Sequence, residues 1–487
     1  MALIFSLDSN PNGLFAIDAN TGVISRVGTL TGSKTYPITW RITDTATGQF
    51  FGLSETITTQ PFLNALAVST KAVTVGTAYN ATIAGASSGS TLALSGAGAA
   101  GLTLSGTTIS GTPTTAGPVD IIETLAGVSN SPRTTGGAIT SSANTYFGRA
   151  VTRALNAGRA ANILIVGHSH VTGQGAGTGS NGLVGAAQAN FASRLPSKLT
   201  AAGIATDLAS VFGESNATGG GVTAGQYDGR VVLGSGWAPD TNPGTFGGRF
   251  LIQAAGGAGT YDITPGYAFT SARFHFPKNS GLSTAITVRV DGVERVVVNQ
   301  NASGSIAYVD VPFGGSTLSL KDTGTGSAYS VGVEFFKAGQ KARVVYSGWA
   351  GAVIGNYTST QYAWDAGNFI GVMNSDLGVL YCMTNDLNQS RPSATWKTSA
   401  KAVIQKMLLT GEAIIVIDPP ASGFDATLYQ AYADAATQIA SETGCGLLDL
   451  RTAFVSYAAS VSAGTQYDAN HLNGAGYERV ASLLAVM

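Results

Sequence analysis

Charge is what this chain has least of. Asp, Glu, Lys and Arg make up 11% of its 487 residues, and their signs cancel to a net −1. There is no basic stripe and no interleaving of aromatic with basic residues, so nothing electrostatic favours nucleic acid or an anionic membrane surface. No run of about 18 apolar residues occurs, and no membrane insertion is expected. The two cysteines, Cys382 and Cys445, are too few for a disulfide framework, and each sits where a small core residue would. Histidine occurs at four positions only, His168, His170, His275 and His471. His168 and His170 form a His-x-His pair of the kind that binds metal. Such a site needs further His and carboxylate ligands, so no metal is expected.

Glycine is abundant, at 65 residues. With the many Ser, Thr and Ala it makes the composition β-rich, loop-rich and extracellular in type. The length is too great for one compact core and implies several domains. The start, Met1-Ala2-Leu3-Ile4-Phe5, lacks the basic region and long apolar stretch of a signal peptide. Together these features predict a virion component, released by lysis and acting at the bacterial surface, with a secreted protein as the alternative.

Along the chain, residues 1–60 alternate short β-type runs with Asn/Gly turns. Phe15-Ala16-Ile17-Asp18 with Thr21-Gly22-Val23-Ile24 resembles a cadherin-like β module, without that family's acidic calcium linker. Residues 61–135 repeat the pattern, and Gly101–Gly106 followed by Thr107-Thr108-Ile109-Ser110-Gly111-Thr112-Pro113 resembles a bacterial Ig-like β-sandwich, which implies a spacer or adhesive role. Ser129 through Gly137 reads as a linker. A helix from Tyr146, the apolar run Ile163–Val166 and a helix over about 182–202 open an α/β domain over 136–209. Residues 210–340 interrupt it with strands, among them Ile286–Val290 and Val296–Val298 around an Asp291-Gly292 hairpin signal. They predict an inserted antiparallel sandwich, with glycan binding or a passive spacer as its roles. The α/β pattern resumes over 341–487. The expected fold is therefore multidomain. Two N-terminal β-sandwich modules precede a flavodoxin-like α/β domain with a parallel sheet and an inserted antiparallel β-sandwich.

The chemistry lies at two distant places. Ser169 follows the apolar run through Gly167-His168, at the carboxyl edge where open α/β sheets place their reactive groups. Near the C-terminus Asp468 precedes His471 by three residues, so one loop supplies an imidazole and the carboxylate that orients it. A serine hydrolase needs these three parts. Gly173–Gly179 lacks the Lys-Ser/Thr of a phosphate-binding loop and reads as a flexible active-site loop, so no cofactor is expected.

Four blocks in order resemble the SGNH (GDSL-like) esterase and lipase superfamily. They are Gly167-His168-Ser169, Tyr346-Ser347-Gly348-Trp349-Ala350-Gly351, Met383-Thr384-Asn385-Asp386, and Asp468-Ala469-Asn470-His471 with Leu472, Asn473, Gly476 and Tyr477. The resemblance covers about 150–205 and 340–487. It implies Ser169 as nucleophile, His471 as base and Asp468 as its orienting acid. It also implies an oxyanion hole from the Ser169 N–H, Asn385 and Gly351, with Gly348 as the alternative glycine. Departures from the family pattern are His168, where the family has Asp, and Met383-Thr384. His168, His170 and Asp386 are pocket candidates, with His170 at the rim and Asp386 mainly structural. β modules joined to such an esterase are similar to phage tail-fibre or tailspike proteins that remove O-acetyl groups from surface polysaccharide. The expected partners are an acetylated glycan, other tail proteins bound through the N-terminal modules, and copies of the same chain, although no coiled-coil heptads enforce a trimer. The competing readings are a non-catalytic receptor-binding or structural tail protein, and a secreted carbohydrate esterase or lipase.

Overall fold

The computed structural model describes residues 3–10, 13–27, 35–58, 63, 66–126, 128, 131–142, 145–212, 222–240, 245–246, 248 and 250–487. The chain divides into two compact units, Met1–Ser141 and Ser142–Met487.

In the first unit, Leu3–Ser9, Thr35–Asp44 and Phe50–Thr58 form an antiparallel three-stranded sheet beside a ribbon of Phe15–Ile17 and Ile24–Arg26. Its buried cluster is small: Phe15, Tyr36 and Ile38. Two four-stranded sheets follow, built from strands between Ala67 and Ser142 around one apolar cluster that includes Tyr79, Ala81, Ile83, Ile109, Val119, Ile121 and Ile139. Tyr79–Ala84 alternates buried and exposed residues, the period of a strand with one face on a core.

The expected linker is corrected here. Ser129 and Asn130 lie outside the described residues, but Arg133–Ser142 is a strand paired antiparallel with Gly117–Thr124. Arg133 donates to Glu123, which is fully buried, and to the Leu63 carbonyl. Small polar residues suit a linker and a strand equally well, and distant pairing decided between them. The unit boundary falls at Ser141, past the expected 135.

The second unit is organised by one parallel sheet. Its strands are β1 (Ala161–Gly167), β2 (Thr206–Leu208), β3 (Ala342–Gly348), β4 (Leu377–Tyr381), β5 (Glu412–Ile417) and β6 (Gly446–Asp449). Their order is β2-β3-β1-β4-β5-β6, with every pairing parallel. All seven residues of β1 are buried, as a central strand covered on both faces requires. Leu164 and Val166 face a core shared with the helices Ser393–Leu408 and Ala426–Thr443. Ile163 and Ile165 face the other side, toward Tyr146–Asn156, Phe191–Ala201 and Gly474–Ala485. Each such side chain contributes about 1.5–3 kcal/mol by leaving water.

The helix expected over 182–202 is two helices, Ala186–Ala189 and Phe191–Ala201. Asn190 breaks the run because its side chain accepts from the Ser193 N–H at 2.7 Å, capping the second helix from an extended backbone.

Between β2 and β3 lie three antiparallel sheets of four, five and three strands, from Ser210–Phe212 to Gly332–Phe336. The Asp291-Gly292 turn joins Ile286–Val290 to Val293–Val298, and both turn residues have positive φ, 49° and 80°. Phe246 stacks on Phe369, and Phe212 meets both rings edge-on, where this region meets the helix Ala366–Val372. At another contact, buried Glu334 bonds His275 and also Arg343 of β3, both at 2.7 Å.

Candidate active site

The chain direction along the sheet reverses around β1, whose neighbours are β3 and β4. Ligand sites of open α/β sheets lie at such reversals, beyond the carboxyl ends of the strands. Ser169 is two residues past β1 and opens the four-residue helix Ser169–Thr172. Gly351 follows β3, Asn385 follows β4 in the helix Thr384–Asn388, and Asp418 directly follows β5.

His471 reaches this edge from the loop before the last helix. Its Nε2 lies 2.9 Å from Ser169 Oγ, and its Nδ1 is 2.9 Å from each Asp468 carboxylate oxygen. Asp468 Oδ1 also accepts the N–H groups of Asn470 and His471, both at 2.8 Å, so the loop closes on its own carboxylate. Burial pushes the Asp468 carboxyl up, but its bonds from His471 and Asn470 outweigh this and hold it below the usual carboxylate range. Gly175 lets this loop seat on the nucleophile's side. A Cβ there would stand 2.5 Å from the Leu472 carbonyl and 2.8 Å from Tyr467 Cβ, and its φ is +88°. The Gly-rich loop expected to be flexible is cross-tied, with Gly175 N–H donating to Asn181 and Thr178 paired with Val184.

The oxyanion candidates have the needed donors. Among the described residues, no acceptor engages the N–H of Ser169 or of Gly351. Gly351 sits exposed at φ +77° with open space around its Cβ position, whereas a Cβ on Gly348 would collide with Thr172. Asn385 donates one amide hydrogen to the Ala352 carbonyl at 2.9 Å, beside Gly351, which leaves its second hydrogen.

The three pocket candidates are buried: His168, His170 and Asp386 are 0%, 1% and 1% exposed. His170 is not at a rim. It stacks on Tyr381 at 5.3 Å behind His471, 5.6 Å away, and burial, then His168 and His471, hold its imidazole well below the ordinary histidine range. Asp386 accepts the Ile354 N–H at 2.8 Å, so it holds the chain after Gly351, and burial raises its carboxyl. His168 is turned inward, with its Nε2 2.7 Å from Asp418 Oδ2.

Sequence reasoning passed over Asp418. The available signal was an acid directly following the buried strand Ala413–Ile417 at the reactive edge. His168, His170 and Asp418 offer ligand atoms within 4.8 Å of one another. In this structure Asp418 engages His168 on Nε2, and His168 Nδ1 accepts the His170 N–H.

No protein-family profile and no curated protein matches this chain. Among solved structures it is similar to a peptidoglycan O-acetylesterase, with a TM-score of 0.54 and 17% identity over 70% of this chain and 93% of that one. It also matches a family two carbohydrate esterase from Clostridium thermocellum in complex with cellohexaose (TM-score 0.24, 12% identity, 52% and 97% covered). A third match is a lipolytic G-D-S-L family member from Veillonella parvula (0.24, 18%, 29% and 78%). At such identities the first is a likeness of fold, and the lower-scoring two add nothing to it.

Proposed function

We propose that this chain is a serine esterase of the SGNH type that removes O-acetyl groups from a bacterial surface polysaccharide. The 2.9 Å contact between Ser169 Oγ and His471 Nε2, with Asp468 on the far side of the imidazole, carries the reading. In this mechanism His471 takes the Ser169 proton as Oγ attacks the acetyl carbonyl, and Asp468 stabilises the imidazolium. The oxyanion receives the N–H groups of Ser169 and Gly351 and the Asn385 amide, each donor worth about 2.7–4 kcal/mol in the transition state. His471 then protonates the departing sugar oxygen. Water, deprotonated by the same imidazole, releases acetate and restores Ser169.

A sugar substrate is supported by the segment between the helices Ile354–Thr358 and Ala366–Val372. There the Tyr362 and Trp364 rings lie 5.5 Å apart and 2° from parallel, with Tyr362 51% exposed. Asp365 braces them by accepting the Tyr362 N–H at 3.0 Å and the Ser359 hydroxyl at 2.6 Å. A fixed, exposed aromatic face suits the C–H face of a pyranose. The β-rich first unit and the esterase chemistry together suit a phage tail fibre or tailspike, docked on other tail proteins through its first 135 residues. Acetate release from O-acetylated capsule or lipopolysaccharide, absent in Ser169→Ala, is the expected result. No release from any acetylated glycan or small acetyl ester would refute the reading.

A further inference from the structure

Two His–carboxylate pairs meet at Ser169, and the mechanism above uses only one. The other is His168 with Asp418, both wholly buried and 2.7 Å apart. Asp418 Oδ2 also accepts the Thr384 N–H at 2.8 Å and the Thr384 hydroxyl. One carboxylate oxygen thus joins the residue before Ser169 to the residue before Asn385. A buried carboxylate is costly unless donors satisfy it, so Asp418 requires a hydrogen on His168 Nε2.

That requirement reaches the nucleophile. With the hydrogen on Nε2, neutral His168 presents a lone pair at Nδ1. Around Nδ1 stand the His170 N–H and His170 Nδ1, both at 3.3 Å, and Ser169 Oγ at 3.4 Å. The His170 N–H engages that lone pair, and the Ser169 proton is left for His471, the nearer acceptor at 2.9 Å. A hydrogen on Nδ1 would instead oppose the His170 N–H and compete for Ser169 Oγ.

We infer that Asp418 is a positioning residue for ester hydrolysis: it holds His168 in the Nε2–H form, which directs Ser169 toward His471, and through Thr384 it holds the start of the Asn385 helix in register. The inference rests on the esterase reading, and the experiment separates the two.

The test assays the full chain on a small acetyl ester, with Ser169 labelling by a fluorophosphonate and 15N spectra of the four imidazoles. Asp418→Asn would place an amide donor against His168 or Thr384. It is expected to lower kcat roughly ten- to a hundredfold, the range for losing a group that orients a reactive residue. KM should hold within about twofold, as expected when a transition-state rather than a ground-state interaction is lost, and labelling should slow in parallel. His168→Asn keeps an acceptor for the His170 N–H and should retain more activity than His168→Ala. The double variant Asp418→Asn/His168→Asn should be no slower than the worse single, because the two residues act as one unit. The wild-type His168 spectrum should show the Nε2–H form.

Wild-type kcat in a folded Asp418→Asn protein, multiplicative losses in the double variant, or the Nδ1–H form of His168 would each overturn the inference. Should Asp418→Asn fail to fold, Thr384→Val removes only the hydroxyl donor and should lower kcat about fivefold, one hydrogen bond's worth. An unchanged kcat there also overturns it. If Ser169→Ala retains full activity, it is the esterase reading that falls.

Discussion

Ser169 Oγ and His471 Nε2 stand 2.9 Å apart, although 302 positions separate them in the chain. The contact forms because β1 and the loop before the last helix end at the same edge, with the Gly-rich loop after Ser169 meeting Leu472 and Tyr467 at Gly175.

Removing either partner should therefore abolish turnover while sparing the fold. Ser169→Ala and His471→Ala are each expected to lower kcat by about a millionfold, and Asp468→Asn by about ten-thousandfold. Acetate release, with melting temperature as the fold control, checks this. The esterase assignment fails if the Ser169→Ala rate stays within tenfold of wild type.

Asn385→Ala should lower kcat about a hundred- to a thousandfold with little change in KM, because the lost donor acts on the oxyanion and not on the bound ester. A rise in KM at constant kcat would place Asn385 in substrate binding instead.

Stability should fall on mild acidification. Buried His170 resists protonation in the folded chain but takes a proton at its ordinary value of 6.5 once unfolded. Below that value the unfolded state binds more protons, so stability is complete above it and declines as pH falls toward the depressed folded value. The slope from this one group is about 1.4 kcal/mol per pH unit. Denaturant titrations from pH 7 to 5 should show the decline, and His170→Gln should flatten it.

Glu334→Ala leaves His275 and Arg343 facing a buried gap and should destabilise the second unit by about 3–5 kcal/mol, the cost of breaking a buried ion pair. Activity of the folded protein should not change. A thermal melt and a small-ester assay report the two effects separately.

Tyr362→Ala should raise KM on acetylated polysaccharide and leave p-nitrophenyl acetate kinetics as they are. Equal effects on both substrates would remove the sugar platform from the account.

What the residues determined alone is local. The run Ile163–Val166 reads as a buried strand because its apolar residues are contiguous, and Asp291-Gly292 as a hairpin because both positions accept positive φ. Asp468 and His471 read as a pair because three residues of loop close one side chain on the other. Tertiary structure decided the rest. Nothing local tells Arg133–Ser142 from a linker, since its strand character comes from pairing with Gly117–Thr124. Nothing local turns His168 toward Asp418, 250 positions away, or buries His170 behind His471. Backbone preference acts over a few residues, whereas a buried polar group finds its partner only when distant strands are packed together, and the cost of leaving it unpaired makes that choice specific.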